Sequence, residues 1–256
     1  APARALAGVG RGPTGGRPGP DGRVAPSAVA GALDADTVLV AVMLVNNETG
    51  AVQDVAGISA AVRGAAAASG RRAWVHTDGV QALGKLAVNL PGLGVDSAAF
   101  SGHKLGAPRG IGCLYVRRGT SPALLARGGG QEKGLRPGTE NLAGALALAR
   151  AAADRAATRE ADLGRARVLA GRLIEGILSI PGGVVFPEAR RGGDDPRYSP
   201  WIVSFGFPPV PGEVVVRLAE SRGFLVGTGS ACSSKKKDRT RVLEAGGGSA
   251  EAKAAL

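Results

Sequence analysis

The sequence predicts an α/β fold, with a mainly parallel sheet in a large domain and a smaller C-terminal α+β domain. Apolar segments of strand length alternate with Ala-rich segments of helical length along the first 150 residues, which is typical of parallel strands joined by helices. From Trp201 the strand-like segments alternate in polarity, as in a half-buried sheet. The predicted organisation is linker or disorder over 1–22, part of the large domain over 23–150, and part of the small domain over 151–256.

Apolar runs and capping residues predict the elements of the first half. Ser27 can cap a short helix that ends at Leu33, and the apolar run from Thr37 to Val45 is typical of a buried parallel strand. Residues 46–50 follow as a loop. The next predicted elements are a helix over 54–68, a strand over 73–77, and a helix or turn over 79–83.

The second half is predicted in the same way. Strands are expected over 97–100 and 112–116, on either side of a Gly/Pro-rich loop that contains Lys104. A long helical stretch covers 141–180, with expected breaks at Gly164 and Gly171. Beyond it the predicted elements are a strand over 202–207, a helix over 212–221 and an extended segment over 224–228.

Composition excludes several classes of function. The longest apolar run, Val38 to Val45, is far shorter than the roughly 18–20 residues of a membrane span, and no secretory signal is expected. The two cysteines do not make a disulfide framework or a zinc site, so we expect a reducing compartment and no metal. The net charge of +11 comes mostly from scattered arginines, and direct nucleic-acid binding is not expected.

Three polar residues each follow a predicted strand. Asn47, Asp78 and Lys104 all lie in such loops, and ligands of parallel sheets gather beyond the carboxyl ends of the strands. A lysine amine near an aldehyde can form a Schiff base, and a carboxylate can keep a pyridine nitrogen protonated. Cys232, in a Gly/Ser-rich segment, can act as a thiolate nucleophile. The sequence thus predicts covalent chemistry on a carbonyl cofactor, followed by thiol chemistry.

Most of these residues also have a plain structural explanation, which the sequence leaves open. Asp78 and Asn47 could serve a turn, Gln81 could be an ordinary polar helix residue, and Cys232 could be a small buried side chain. We expect structural roles for His76 and Cys113, and either a solvated surface or a landing site for an acidic protein at residues 235–237.

Six segments occur in an order that a known family shares. They are Asn46–Gly50, His76–Gln81, Ser101–Lys104, Gly128–Glu132, Arg136–Asn141 and Gly229–Cys232. From about Asp21 to Leu243 the chain resembles the cysteine desulfurases, the NifS/IscS-like branch of the class V aminotransferases, which are fold-type I enzymes that use pyridoxal 5'-phosphate (PLP).

The resemblance implies a role for each cofactor-binding residue. Lys104 would hold PLP as a Schiff base and later act as acid and base, and Asp78 would pair with the pyridinium nitrogen. Asn47 and Gln81 would hydrogen-bond the ring oxygen. The phosphate would be bound by Ser101, His103 and, from the neighbouring subunit of a homodimer, Thr139.

The resemblance also implies the substrate and the partners. Cys232 would take sulfur from L-cysteine, release L-alanine and pass its persulfide to an acceptor, such as an iron–sulfur scaffold or a tRNA-thiolation protein. A cytoplasmic enzyme is expected, or an organellar one whose targeting segment is absent from the chain. Two alternatives remain open: a selenocysteine lyase, and an inactive, truncated chain that acts only as a binding partner.

Three features of the family have no match, so the chain is expected to be truncated at both ends. Residues 1–36 contain neither the family's phosphate-binding loop nor its ring-stacking histidine, and no arginine after Glu244 corresponds to the carboxylate-binding one. Loss of a phosphate-binding helix N-terminus would remove an anion site. We therefore expect that cofactor and substrate are oriented less well.

Overall fold

The computed structural model describes residues 10, 12–70, 72–120, 122 and 128–228. Its main sheet has four strands in the order β1-β2-β3-β4. The first three are parallel, and β4 is antiparallel to β3. Their bounds are β1 Leu39–Met43, β2 Trp74–Asp78, β3 Ser97–Ser101 and β4 Gly112–Val116. The predicted α/β class with a mainly parallel sheet is confirmed.

Helices and a small second sheet complete the described part of the chain. The helices are α1 Pro26–Gly31, α2 Val55–Ser69, α3 Leu90–Leu93, α4 Leu142–Ser179 and α5 Gly212–Glu220. Short 3₁₀ segments cover Gly102–Lys104 and Gln131–Gly134. Strands β5 (Val184–Phe186) and β6 (Ser204–Gly206) form an antiparallel pair. No helix in these residues is both long and apolar enough to span a membrane.

One face of the main sheet packs against α2. Val55, Ile58 and Val62 of this helix are buried together with Val75 and Phe100 of the sheet. Asp54 caps the helix, because its side chain accepts a hydrogen bond from the backbone N–H of Gly57. This packing fixes the strands whose carboxyl ends carry the candidate site.

Strand β1 is shorter and more exposed than the sequence predicted. Among the described residues it pairs only with β2 and so lies at the edge of this sheet, and Leu39 keeps 44% of its surface exposed. The apolar run correctly indicated a parallel strand, but the expectation of burial on both faces is wrong. An apolar run shows that a strand is compatible with burial on both faces. Whether it is buried depends on which elements pack against it.

Helix α1 begins differently from the prediction. Its N-cap is Ala25, which makes no side-chain capping bond, and Pro26 occupies the first helical turn. Proline is favoured there because its φ angle is already helical and its missing N–H would have no partner. Ser27 therefore lies inside the helix and does not cap it.

The long helix α4 is continuous, so the predicted breaks at Gly164 and Gly171 are wrong. Ala166, Ala170 and Ile174 make part of one buried stripe along it, and a helix glycine costs only about 1 kcal/mol relative to alanine. Packing of that stripe outweighs the cost.

The two halves of α4 pack on different parts of the molecule. Leu148, in the first half, packs with Leu105 and Ala107 near the main sheet. In the second half, Ile174 and Ile177 pack with Val185 of β5. The predicted domain boundary at residue 150 falls within this helix.

Candidate active site

Three parallel strands end side by side at one edge of the main sheet. Met43 of β1 is in register with Asp78 of β2, and Asp78 with Ala99 of β3. The loops that follow these strands carry Asn47, Gln81 and Lys104. The sequence predicted that Asp78 follows β2, but in the structure it is the last residue of that strand. The predicted gathering of polar residues at this edge is thus what the topology produces.

The hydrogen bonds that shape the loop after β1 are made by Asn46 and not by the side chain of Asn47. The side-chain oxygen of Asn46 accepts hydrogen bonds from the backbone N–H groups of Glu48 and Thr49, each at 2.9 Å. Gly50 closes the loop with a φ of +76°, a conformation that glycine adopts without strain. Asn47 is half-buried, and its amide has no hydrogen-bond partner among the described residues. The turn chemistry therefore belongs to Asn46.

Asp78 uses one carboxylate oxygen to fix the turn that follows it. Its Oδ1 accepts a hydrogen bond from the backbone N–H of Val80 at 2.9 Å, and no described group bonds its Oδ2. Gly79 packs against the ring of Phe100 so closely that a Cβ atom would collide with the ring. The carboxylate is thereby held at the end of β2 with one oxygen available to a ligand.

Gln81 has a partner that sequence reasoning missed. Lys85 Nζ donates a hydrogen bond to Gln81 Oε1 at 2.8 Å. Burial lowers the pKa of Lys85, and the nearby positive charges of Lys104 and Arg155 lower it further. The spacing of four residues between a glutamine and a lysine was the one available signal, and it is common on protein surfaces.

The lysine-bearing turn is closed by backbone bonds. Strand β3 passes directly into the 3₁₀ turn, where the N–H of Gly102 donates to the carbonyl of Ile111 at 2.9 Å. Leu105 and Ala107 are buried beneath the turn, while His103 and Lys104 are exposed. The amine of Lys104 forms no hydrogen bond or ion pair in the described part of the chain. It is therefore accessible on a well-anchored turn.

The two predicted phosphate ligands of this turn contact each other. Ser101 Oγ and His103 Nδ1 are 2.7 Å apart. One hydrogen bond joins them, with the donor set by the tautomer of the histidine. Hydroxyl and imidazole thus lie together at the carboxyl end of β3, next to Lys104.

Thr139 lies in a separate segment of the chain, between the second 3₁₀ turn and α4. It is exposed, and its backbone carbonyl accepts a hydrogen bond from Arg136 Nη1 at 2.9 Å. Within the described ranges, no hydrogen bond connects it to the carboxyl edge of the sheet. Asn141, in the same sequence segment, caps α4 by accepting a bond from the N–H of Gly144.

Of the two cysteines, only Cys113 lies within the described residues. Cys232 lies outside the described residues, as do residues 235–237. Cys113 lies in β4 opposite Phe100 and is largely exposed, yet local packing still raises the pKa of its thiol. That shift disfavours the thiolate. Among the described residues, no group of His, Cys, Asp or Glu could hold a metal ion.

Comparison with known protein families gives one match over most of the chain. Residues 17–246 match the model of the aminotransferase class-V family. The NifS/IcsS protein homolog of Lactobacillus delbrueckii subsp. bulgaricus is 38% identical over 226 residues, which are 88% of this chain and 56% of that protein. Cysteine desulfurase 2 of Trichormus variabilis is also 38% identical, over 84% of this chain and 51% of that protein. The chain spans about half the length of these curated relatives.

Solved structures agree with this assignment. A NIFS-like protein superposes with a TM-score of 0.81 at 28% identity, over 98% of this chain and 63% of that one. DndA from Streptomyces lividans has a TM-score of 0.75 at 33% identity, over 99% of this chain and 69% of that one. The fold is therefore that of the fold-type I PLP enzymes. With the sequence match and the sheet topology in agreement, the chain belongs to the class V aminotransferase family.

Proposed function

We propose that this protein is a PLP-dependent cysteine desulfurase, which moves sulfur from L-cysteine to Cys232 and releases L-alanine. One observation carries the proposal. An accessible lysine amine, a carboxylate with a free oxygen and two side-chain amides lie in neighbouring loops at one edge of a parallel sheet. The relatives named cysteine desulfurase support the choice of reaction.

The donor set at this edge fits PLP. The free oxygen of Asp78 would accept a hydrogen bond from the pyridinium N–H and keep that nitrogen protonated, and the amides of Asn47 and Gln81 would donate to the ring oxygen. Ser101 and His103 would bind the phosphate, with Thr139 contributed by a second subunit. Lys104 would hold the cofactor covalently, and when bound the cofactor supplies an electron sink. Each of these groups is half-buried or exposed, so a ligand can reach it.

The sulfur transfer is proposed to end on the chain's own thiol. The C–S bond of cysteine breaks, an S–S bond forms on Cys232, and the carbon that loses sulfur gains a proton. Cysteine and one enzyme thiol thus give alanine and one persulfide, without an added oxidant or reductant. Lys104, as an amine, is suited to deliver the proton.

The partners follow from the same proposal. The enzyme would work as a homodimer in which Thr139, which is exposed, reaches the phosphate site of the second subunit, and it would act in the cytoplasm. The persulfide would pass to an acceptor protein for iron–sulfur cluster assembly or tRNA thiolation. A protein acceptor requires that the thiol reach the surface.

The first prediction concerns Lys104. Purified protein incubated with PLP should gain a visible absorption band, and Lys104→Ala should lack it, because the proposed site holds the cofactor covalently through the amine of Lys104. With L-cysteine, the wild-type protein should release alanine, and Cys232→Ser should release no persulfide sulfur. Arg150→Met, which removes an exposed cation of α4, serves as the control.

The outcomes separate the proposed cofactor site from the proposed reaction. A band that survives in Lys104→Ala would refute the cofactor site. A lysine-dependent band without alanine release would support the cofactor site but refute desulfurase activity of the protein. Alanine release that is unchanged in Cys232→Ser, with sulfur still bound to the protein, would refute Cys232 as acceptor.

A further inference from the structure

Lys85 reaches the candidate site from the turn after β2. Its Nζ donates to Gln81 Oε1 at 2.8 Å, and the lysine is half-buried. Gly84, with a φ of +71°, allows this close packing, because a Cβ atom there would lie 3.0 Å from Cβ of Arg155 and would strike the side chain of Leu105. The turn is thereby pressed against α4 and the lysine-bearing loop.

The chemistry of the lysine determines how the amide of Gln81 is oriented. An ammonium group has three donors and no acceptor, so only the oxygen of the amide can face it. The amide NH₂ group must then point away from Lys85. Two donors are left for a ligand, and they complement an oxygen anion such as the ring oxygen of PLP.

The surroundings of Lys85 argue against its hydrogen bond to Gln81 being an ordinary pair of surface side chains. Lys85 is close enough to Lys104 and Arg155 for both positive charges to disfavour its own. Arg155 has a carboxylate neighbour, Asp162, at 3.7 Å, and Lys85 forms no ion pair within the described residues. A half-buried cation beside two others is costly. Within the described ranges, the one hydrogen bond of its ammonium group goes to Gln81, a residue of the candidate site.

We propose that Lys85 is a positioning residue: its ammonium group holds the amide of Gln81 with the NH₂ group turned towards the ring oxygen of PLP. The inference rests on the proposed function, since it needs the cofactor at this edge. Lys85 does not touch the reacting atoms. Without it, the amide of Gln81 can rotate and offer its oxygen, which would repel the ring oxygen.

A double-mutant cycle on cofactor affinity tests this role. The variants are Lys85→Met, Gln81→Met and both together, and the dissociation constant of PLP is measured with the wavelength of its absorption maximum. Each single variant should weaken binding by about five- to tenfold, the worth of a lost hydrogen bond. The double variant should be no weaker than Gln81→Met alone, because Lys85 acts through Gln81.

Two further variants separate orientation from charge and from folding. Lys85→Arg keeps a donor-only side chain and should restore most of the affinity and the absorption maximum. Arg155→Met removes a neighbouring cation without touching Gln81 and should weaken binding less than Lys85→Met. Urea unfolding of each apo variant shows whether it is folded.

The contrary results are equally clear. Additive effects in the cycle, or equal losses in Arg155→Met and Lys85→Met, would overturn the positioning role. So would an unchanged affinity in a folded Lys85→Met. If the wild-type protein shows no Lys104-dependent binding of PLP, the proposed function fails and this inference fails with it. Lys104-dependent binding with additive variants overturns the role of Lys85 alone.

Discussion

The imidazole of His76 and the indole of Trp74 share the hydroxyl of Ser97. Trp74 Nε1 donates to Ser97 Oγ at 2.8 Å, and the same oxygen lies 2.8 Å from His76 Nδ1. One hydrogen bond joins the hydroxyl of Ser97 to His76 Nδ1, with the donor set by the tautomer of the histidine. Burial lowers the pKa of His76, and Asp78 opposes the shift in part. The expected structural role of His76 therefore has a physical basis.

A pH dependence of stability follows for His76. Its pKa is lower in the folded chain than the ordinary 6.5, so the unfolded chain binds more protons in the interval below that value. The free energy of unfolding should therefore fall as the pH is lowered from 7 to 5. His76→Gln keeps a polar side chain without this titration and should flatten that fall. Urea unfolding of both proteins at pH 7 and at pH 5 measures this. An equal fall in the free energy of unfolding in the wild-type protein and in His76→Gln would contradict the prediction.

Arg190 is fully buried and forms no salt bridge with a carboxylate of the described residues. Its guanidinium donates to the backbone carbonyls of Ile202 at 2.5 Å and Ser199 at 3.2 Å, and it lies over the ring of Tyr198. Nη1 is also near Gly50, because a Cβ atom there would lie 3.3 Å from it. Arg190 thus holds the segment before β6, in which the N–H of Ser199 donates to the carbonyl of Gly50 in the loop that carries Asn47.

Replacement of Arg190 should destabilise the fold. Arg190→Met removes the side-chain donors of both carbonyls and leaves that of Ser199 with only the long 3.4 Å bond from the N–H of Ile202, which costs about 2 kcal/mol or more. Arg190→Lys should recover only part of this, since an ammonium group lacks the fork of the guanidinium. The measurement is the free energy of unfolding in urea. The exposed Arg191→Met is the control and should change it by less than about 0.5 kcal/mol; an equal loss in both would refute the argument.

The glycines of α4 and of its neighbouring loop should respond oppositely to alanine. Gly164 has open space around it, so Gly164→Ala should raise the free energy of unfolding by about 0.5–1 kcal/mol. A Cβ atom on Gly193 would collide with the carbonyl oxygen of Arg167 in α4. Gly193→Ala should therefore lower stability by more than about 1 kcal/mol. Thermal unfolding of both variants checks this, and a stable Gly193→Ala would contradict the packing.

The element types could be predicted because they depend on local pattern, whereas ends and burial depend on neighbours. The run around Leu39 predicted a parallel strand correctly, but no local signal says that β1 lies at an edge. Gly171 resembled a helix break because glycine has low helical propensity. In the fold, the backbone of Gly193 lies beside it, and the buried stripe of α4 holds the helix together.

The carboxyl edge of the sheet was predictable for a topological reason. Parallel strands end at the same edge, so Asn47, Asp78 and Lys104 come together wherever three such strands adjoin. Lys85 could not be singled out, because its importance comes from the packing of Gly84 against Leu105 and Arg155. The roles of the predicted site residues all remain predictions. That of Thr139 needs in addition a second subunit, and Cys232 lies outside the described residues.

The continuity of α4 fixes the rotational phase between its two contact regions. At 1.5 Å per residue, its 38 residues extend about 57 Å. One residue inserted near Thr158 would turn everything beyond it by about 100°. Ile174 would then face away from Val185 while Leu148 stayed against Leu105. An insertion of seven residues, close to two full turns, would restore the phase, so tolerance of insertions along this helix should be periodic.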